Sequence, residues 1–180
     1  MRVLFLTNNW DVAHPVYDFL CERETVTATY LNINKMERPP RADIIVSYCY
    51  RYILRARALK TPAVNLHNSY LPWGRGAQPL FWSVIEGEPC GVSIHWMDTG
   101  LDTGEVIAKQ TVAIQEELTF RQLYEAQHRA LYQLFRDYWD YIRNAAGSYH
   151  TAEDFDAAKD ILGPEGWDCP VGTARRRWRA

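Results

Sequence analysis

The first six residues after Met1 read Arg2-Val3-Leu4-Phe5-Leu6-Thr7, an almost continuously apolar run. A strand with one face in water alternates polar and apolar residues. A run without that alternation is buried on both faces, as strands inside a parallel sheet are. Thr25–Leu31, rich in β-branched residues, Ala42–Ser47 (Ala-Asp-Ile-Ile-Val-Ser) and Ala63–His67 read as three further strands. Asn8-Asn9 breaks the first run, and Asp11 is placed to cap a helix reaching Cys21 with Val12, Val16, Phe19 and Leu20 on one face. Arg38-Pro39-Pro40 is a loop, and Tyr52–Leu59 reads as a short helix. Parallel neighbours need crossover connections, so this order predicts an α/β fold: a doubly wound, mostly parallel sheet with helices on both faces.

Further along, Pro79 suits a first helical turn, and Phe81, Trp82 and Ile85 form an apolar stripe that ends at Gly87. Val92–Met97 and Glu105–Ile114 read as strands separated by a turn over Asp98–Gly104. Thr119–Asn144 is the longest helix. It opens on a capping box, Thr119-Phe120-Arg121-Gln122, and Phe120, Leu123, Leu131, Leu134, Tyr138 and Ile142 keep its period. Residues 147–180 have mixed periodicity, with turn signals at Gly163-Pro164, Gly166 and Pro170. A chain of 180 residues suits one domain with a full core. No linker interrupts it, so 1–180 is expected as a single domain with 147–180 as a C-terminal extension packed on it.

A net charge of −2 gives no electrostatic reason to expect nucleic acid as a partner. The one basic cluster, Arg175-Arg176-Arg177-Trp178-Arg179, reads as a solvated tail. Cys21, Cys49, Cys90 and Cys169 form no CxxC pair and show no metal spacing, which suits reduced thiols in a cytoplasmic protein without a metal site. The apolar start is too short for a signal segment or a membrane span, so no membrane association is expected.

Asn65 and His67 alternate across Leu66 and point the same way at the end of the fourth strand. Doubly wound sheets gather ligands at that end. Asp102 lies between Gly100 and Gly104 in the turn after an alternating strand. Singly, each has an ordinary reading: a satisfied structural histidine, a turn-forming asparagine, a turn aspartate. A donor amide, an imidazole and a carboxylate together on strand ends and loops make a set that acyl transfer uses. No GxGxxG follows the first strand, which argues against a nicotinamide oxidoreductase. His14, His95, His128 and His150 have structural readings, His128 within the long helix most of all.

Asn65-Leu66-His67-Asn68-Ser69-Tyr70-Leu71-Pro72, the following Arg75-Gly76-Ala77, and Asp98-Thr99-Gly100-Leu101-Asp102-Thr103-Gly104 closely resemble the folate-dependent formyltransferases. That family includes glycinamide ribonucleotide and methionyl-tRNA formyltransferases and the nucleotide-sugar N-formyltransferases. The resemblance is strong over 42–112 and extends in element order over 1–145. It implies that Asn65, His67 and Asp102 hold the catalytic positions, with N10-formyltetrahydrofolate as formyl donor and no metal. It also implies a pterin pocket walled by Tyr50, Arg51, Tyr52, Ile53 and Leu54 on one side and Met97 and Asp98 on the other. Asp102 is then expected to hold His67 protonated.

The chain departs from the family in places that bear on the acceptor. Thr7-Asn8-Asn9-Trp10 stands where the glycinamide ribonucleotide enzymes carry a Gly-rich phosphate loop. No counterpart is expected for the C-terminal barrel domain of the methionyl-tRNA enzymes or the N-terminal domain of the related hydrolases. Gly147-Ser148-Tyr149-His150 and Gly166-Trp167-Asp168-Cys169-Pro170-Val171 resemble endings of the nucleotide-sugar branch. The implied acceptor is the amine of a nucleotide-linked amino sugar, and a homodimer is compatible with that branch. Asn9, Trp10, Tyr70, Trp73, Arg75 and Gly76 are its candidate contacts: the rings for stacking on a base, Arg75 for a phosphate. A formyltransferase for another small amine, a formyltetrahydrofolate hydrolase and a non-catalytic folate- or nucleotide-binding module are the alternatives.

Overall fold

The computed structural model describes residues 1–115 and 117–146. In chain order its elements are β1 (Arg2–Leu6), α1 (Trp10–Cys21), β2 (Thr25–Thr29), β3 (Ile44–Tyr48), β4 (Ala63–His67), α2 (Pro79–Glu86), β5 (Gly91–Trp96), β6 (Val106–Thr111) and α3 (Phe120–Ala146). The strands form one sheet in the order β2-β1-β3-β4-β5-β6. The first four run parallel, and β5 and β6 complete the sheet antiparallel. The class is the expected one. β3 and β5 are buried along their whole length, as strands covered on both faces must be.

The two faces are covered differently. On one, Phe5 meets Trp10 and Tyr17 of α1 at centroid distances of 6.1 and 5.8 Å, and Phe19 of α1 meets Phe135 of α3 at 6.0 Å. Leu80 of α2, Cys90 and Leu123 of α3 pack together on that side. On the other, Leu4, Leu6, Ile45 and Ala63 are covered by Ile33, Leu54, Met36, Leu59 and Met97, all from connecting segments. Among the described residues this second face carries 3₁₀ turns at Ile33–Lys35 and Ala58–Lys60 instead of an α-helix.

The expected helix over Tyr52–Leu59 is therefore absent, for a reason remote in sequence. Asn8 Oδ1 accepts the Arg51 N–H at 3.0 Å. Asn34 Oδ1 accepts the Arg55 N–H at 2.9 Å, while its Nδ2 donates to the Ile53 carbonyl at 2.9 Å. Asn34 takes backbone groups that a helix would have paired, and Asn8 holds the residue just before it. The segment is irregular, passing through a turn into the 3₁₀ turn at Ala58–Lys60, and its Tyr52–Leu54 part walls a cavity.

Three smaller differences follow from packing. α1 begins at Trp10, so Asp11 lies in its first turn, where a carboxylate favours the helix dipole, and does not cap it. On α2 the Phe81, Trp82 and Ile85 stripe faces outward, 44, 48 and 61% exposed, and Leu80 and Ser83 are the buried residues. On α3 the capping box forms: the Gln122 N–H donates to Thr119 Oγ1 at 3.3 Å and the Thr119 N–H to Gln122 Oε1 at 2.9 Å. Leu123, Leu131, Leu134 and Ile142 are buried as the period predicts, whereas Phe120 and Tyr138 are exposed. The helix buries Gln127 and His128 as well. No described helix is long and apolar enough to cross a membrane. The expected extension over 147–180, with its two tail motifs, lies outside the described residues.

Candidate active site

β4 delivers Asn65 and His67 at its carboxyl end. The register sets Asn65 opposite Ser47 of β3 on one side and His95 of β5 on the other, and His67 opposite Ser93. Directly opposed side chains share a face, so pairing brings in His95 where alternation within β4 could not reveal it. Asn65 Nδ2 lies 3.3 Å from His95 Nε2 and 3.4 Å from Asp102 Oδ1.

Asp102 arrives on the connection between β5 and β6. Asp98 Oδ1 accepts the Gly100 N–H at 3.0 Å and the Thr103 hydroxyl at 2.7 Å, which shapes this turn. Gly104 closes it: a Cβ there would sit 1.8 Å from the Trp96 carbonyl oxygen. Asp102 takes a left-handed φ of 50°, which aspartate tolerates better than most side chains. Its Oδ2 accepts the Gly76 N–H at 2.9 Å and lies 3.6 Å from His67 Nε2. Its Oδ1 is 3.5 Å from His95 Nε2. Gly76 itself has φ 87°, and a Cβ would stand 3.2 Å from Leu101 Cδ2.

His67 Nε2 lies 3.0 Å from the Gly74 carbonyl oxygen. A carbonyl only accepts, so the ring proton is on Nε2 and the lone pair of the neutral ring is on Nδ1. The Gly74–Gly76 loop thus holds both residues, one through a carbonyl and the other through an amide. Burial lowers the His67 pKa and outweighs the Asp102 carboxylate and the Gly74 carbonyl, which raise it. The imidazole is neutral at neutral pH. This corrects the expectation of a protonated His67: desolvation wins over the nearby anion. Burial also pushes the Asp102 carboxyl up, but the His95 hydrogen bond, the His67 ring and the Gly76 amide together hold it at about 2. Asp102 is ionised throughout the useful pH range. His95 Nδ1–H donates to the Trp96 carbonyl at 2.7 Å, which fixes its ring. Its membership of this cluster shows only once β5 is set against β4.

Asn65, His67, His95 and Asp102 line a cavity of about 1010 Å³. Tyr50, Arg51, Tyr52, Ile53, Leu54, Met97 and Asp98 all line it too, as do Asn68, Leu101, Phe120, Arg121 and Tyr124. Of the candidate acceptor contacts, Gly76 lies on it. Asn9 lines a second cavity of about 520 Å³ between α1 and α3, which shares Arg121 and Tyr124 with the first. Trp10 packs against Phe5, His14 and Tyr17 at 6.1, 5.4 and 5.3 Å. Tyr70 and Trp73 stack on each other at 6.0 Å, with Lys109 Nζ 4.2 Å from the Tyr70 ring centre. Neither they nor Arg75 line the two cavities. Among the described residues, no group of three or more His, Cys, Asp or Glu is arranged to hold a metal ion.

The family model described as Formyl transferase matches residues 19–137. Among solved structures, the formyltransferase PseJ from Anoxybacillus kamchatkensis, in complex with UDP-4,6-dideoxy-4-formamido-L-AltNAc and tetrahydrofolate, is 34% identical and covers 97% of either chain at a TM-score of 0.71. A sugar N-formyltransferase from a Shewanella species shares the fold, with a TM-score of 0.72 over 98% of this chain and 86% of its own, at 19% identity. The methionyl-tRNA formyltransferase of Agathobacter rectalis is 39% identical over 107 residues, 57% of this chain and 33% of its own length. The bifunctional polymyxin resistance protein ArnA of Wigglesworthia glossinidia brevipalpis is 34% identical over 120 residues, 64% of this chain and 18% of its own. The chain thus spans about a third or less of the length of these two curated relatives.

Proposed function

The chain belongs to the formyl transferase family, and on that footing we propose that it moves the formyl group of N10-formyltetrahydrofolate to the primary amine of a nucleotide-linked amino sugar. The observation that carries the chemistry is the meeting of Asn65, a neutral His67 and an ionised Asp102 in the wall of a single cavity. The acceptor class rests on the likeness to PseJ over nearly the whole of both chains.

The cavity suits the donor. Ile53, Leu54, Met97 and Leu101 offer apolar side chains for a flat bicyclic ring, beside the Tyr50–Leu54 segment. The donor supplies an activated formyl carbon; the residues do the rest. Asn65 donates its amide N–H to the oxygen on which negative charge collects as the amine attacks. His67, with a lone pair on Nδ1, takes the proton that the amine gives up when its bond to the formyl carbon forms. Asp102, 3.6 Å from Nε2, stabilises the imidazolium at that moment. His67 then returns the proton to the folate nitrogen as the carbon–nitrogen bond to it breaks. The buried imidazole is neutral before the reaction and charged only during it, so the carboxylate favours the transition state over the resting site.

The test is an acceptor panel of nucleotide-linked 4-amino-4-deoxy sugars, glycinamide ribonucleotide and methionyl-tRNA, with tetrahydrofolate release followed optically. A nucleotide-linked amino sugar is expected to be the best substrate. Methionyl-tRNA or glycinamide ribonucleotide as the best substrate would overturn the acceptor assignment, and release with water alone would make the chain a hydrolase.

A further inference from the structure

Asn68 follows His67 directly, lines the main cavity, and is tied to α3 twice. Its backbone carbonyl accepts from Gln127 Nε2 at 3.2 Å, and the same nitrogen donates to the Gly91 carbonyl at 2.8 Å. Its side-chain nitrogen lies 3.0 Å from His128 Nε2. The His128 ring is buried, packed edge-on against Tyr124 at 4.1 Å, with the Tyr48 hydroxyl on its Nδ1. Burial brings the His128 pKa down to about 4, so the ring is neutral where the protein works. A neutral imidazole has one lone pair and one N–H. With Nε2 receiving the Asn68 amide, the proton is on Nδ1 and faces the Tyr48 oxygen. A protonated ring could not accept from Asn68, and of the two neutral tautomers only Nδ1–H leaves Nε2 to receive this amide, so the tautomer of His128 is what fixes its orientation.

The consequence lies in the other arm of the same planar group. Its nitrogen is committed to α3, while no described hydrogen bond engages the carbonyl oxygen, Oδ1, of this residue, which lines the same cavity as His67. A hydrogen-bond acceptor at that place suits a group that brings N–H bonds to the reaction. The attacking amine is such a group. Holding one of its N–H bonds directs its lone pair, and such orientation is worth more than affinity alone.

We propose that Asn68 reads the acceptor: its Oδ1 receives an N–H of the attacking amine, and His128, through the Asn68 amide nitrogen, is a positioning residue for it. This rests on the amine-acceptor reading above, but not on the acceptor being a sugar. The experiment therefore uses whichever amine of the panel the chain formylates. Asn68→Ala is expected to raise the KM for the amine roughly tenfold, the loss of one oriented hydrogen bond, while the KM for the folate donor changes by less than about twofold. Equal changes in both, or none, would overturn the proposal, and formylation of water alone would overturn it together with the acceptor reading. A second readout needs neither turnover nor a variant. Nitrogen-15 spectra of the wild-type histidines are expected to show His128 as the Nδ1–H tautomer. An Nε2–H tautomer would place the Asn68 oxygen against the ring and sink the proposal, whatever amine is used.

Discussion

His67 and His128 stand on either side of Asn68 and are equally buried, each 8% exposed. Burial lowers the pKa of both. The neighbours make the difference. His128 meets a tyrosine hydroxyl and an asparagine amide, both uncharged, and nothing opposes desolvation until its pKa is about 4. His67 faces the Asp102 carboxylate at 3.6 Å and the Gly74 carbonyl at 3.0 Å, and both push back against burial. One ring is locked neutral and serves as a fixture. The other is neutral at rest with an anion waiting for its charge, the arrangement expected of a proton carrier.

The largest effect should come from removing that anion. Asp102→Asn keeps an oxygen for the Gly76 N–H but leaves the imidazolium unsupported, so kcat is expected to fall on the order of 10²–10⁴-fold with the fold intact. Near-wild-type turnover would erase the contrast between the two histidines. The pair should also behave as one unit. In a double-mutant cycle on kcat, His67→Gln combined with Asp102→Asn is expected to cost far less than the two single losses added as free energies. Full additivity would mean that the carboxylate acts on something other than His67.

The locked ring has its own signature in acid. His128 binds a proton more readily in the unfolded chain, near 6.5, than in the fold, near 4. Its contribution to stability is therefore complete above the higher value and is lost as pH falls through the window between them. The loss is on the order of 3 kcal/mol once both values are passed. Asp102, ordinarily near 3.8 and held at about 2, loses its contribution only at lower pH, as the pH falls from the higher value toward the lower. Urea unfolding at pH about 7 and about 5, compared between the wild type and His128→Gln, should show a shallower pH slope in the variant. Identical slopes would remove His128 as the group that titrates.

Part of this was legible in the sequence and part was not, for physical reasons. β4 runs over Ala63–His67 as read, because Pro62 before it and Asn68 after it are turn-forming residues that set its ends locally. The Asp98–Gly104 turn is likewise local, built from its own side chains. The Tyr52–Leu59 segment escaped because Asn34, remote in sequence, captures its backbone, and Asn8 holds Arg51 just before it. His95 and His128 escaped because their partners are set by strand register and by the packing of α3, which no local pattern records. The charge of His67 escaped because burial depth decides it.

The smallest effect is expected at Trp73, and it decides from which histidine's side the acceptor approaches. As a sequence feature Trp73 suggests a platform for a nucleotide base, worth roughly 1–3 kcal/mol if a base stacks there. In the fold its ring is 39% exposed, stacks on Tyr70 at 6.0 Å and lines neither cavity. What the site uses is the Trp73 backbone. The Ser69 hydroxyl donates to its carbonyl, next in the chain to the Gly74 carbonyl that holds His67. Trp73→Leu keeps that backbone and loses the ring pair. It should lower stability by about 0.5–1.5 kcal/mol while leaving the KM for the acceptor within about twofold. Such a result would put the body of the acceptor on the His128 side, along Asn68, Tyr124 and Arg121, which line the same cavity as His67. A rise of roughly tenfold or more in that KM, the range a lost base stack would give, would instead run the nucleotide over the Gly74 loop on the His67 side.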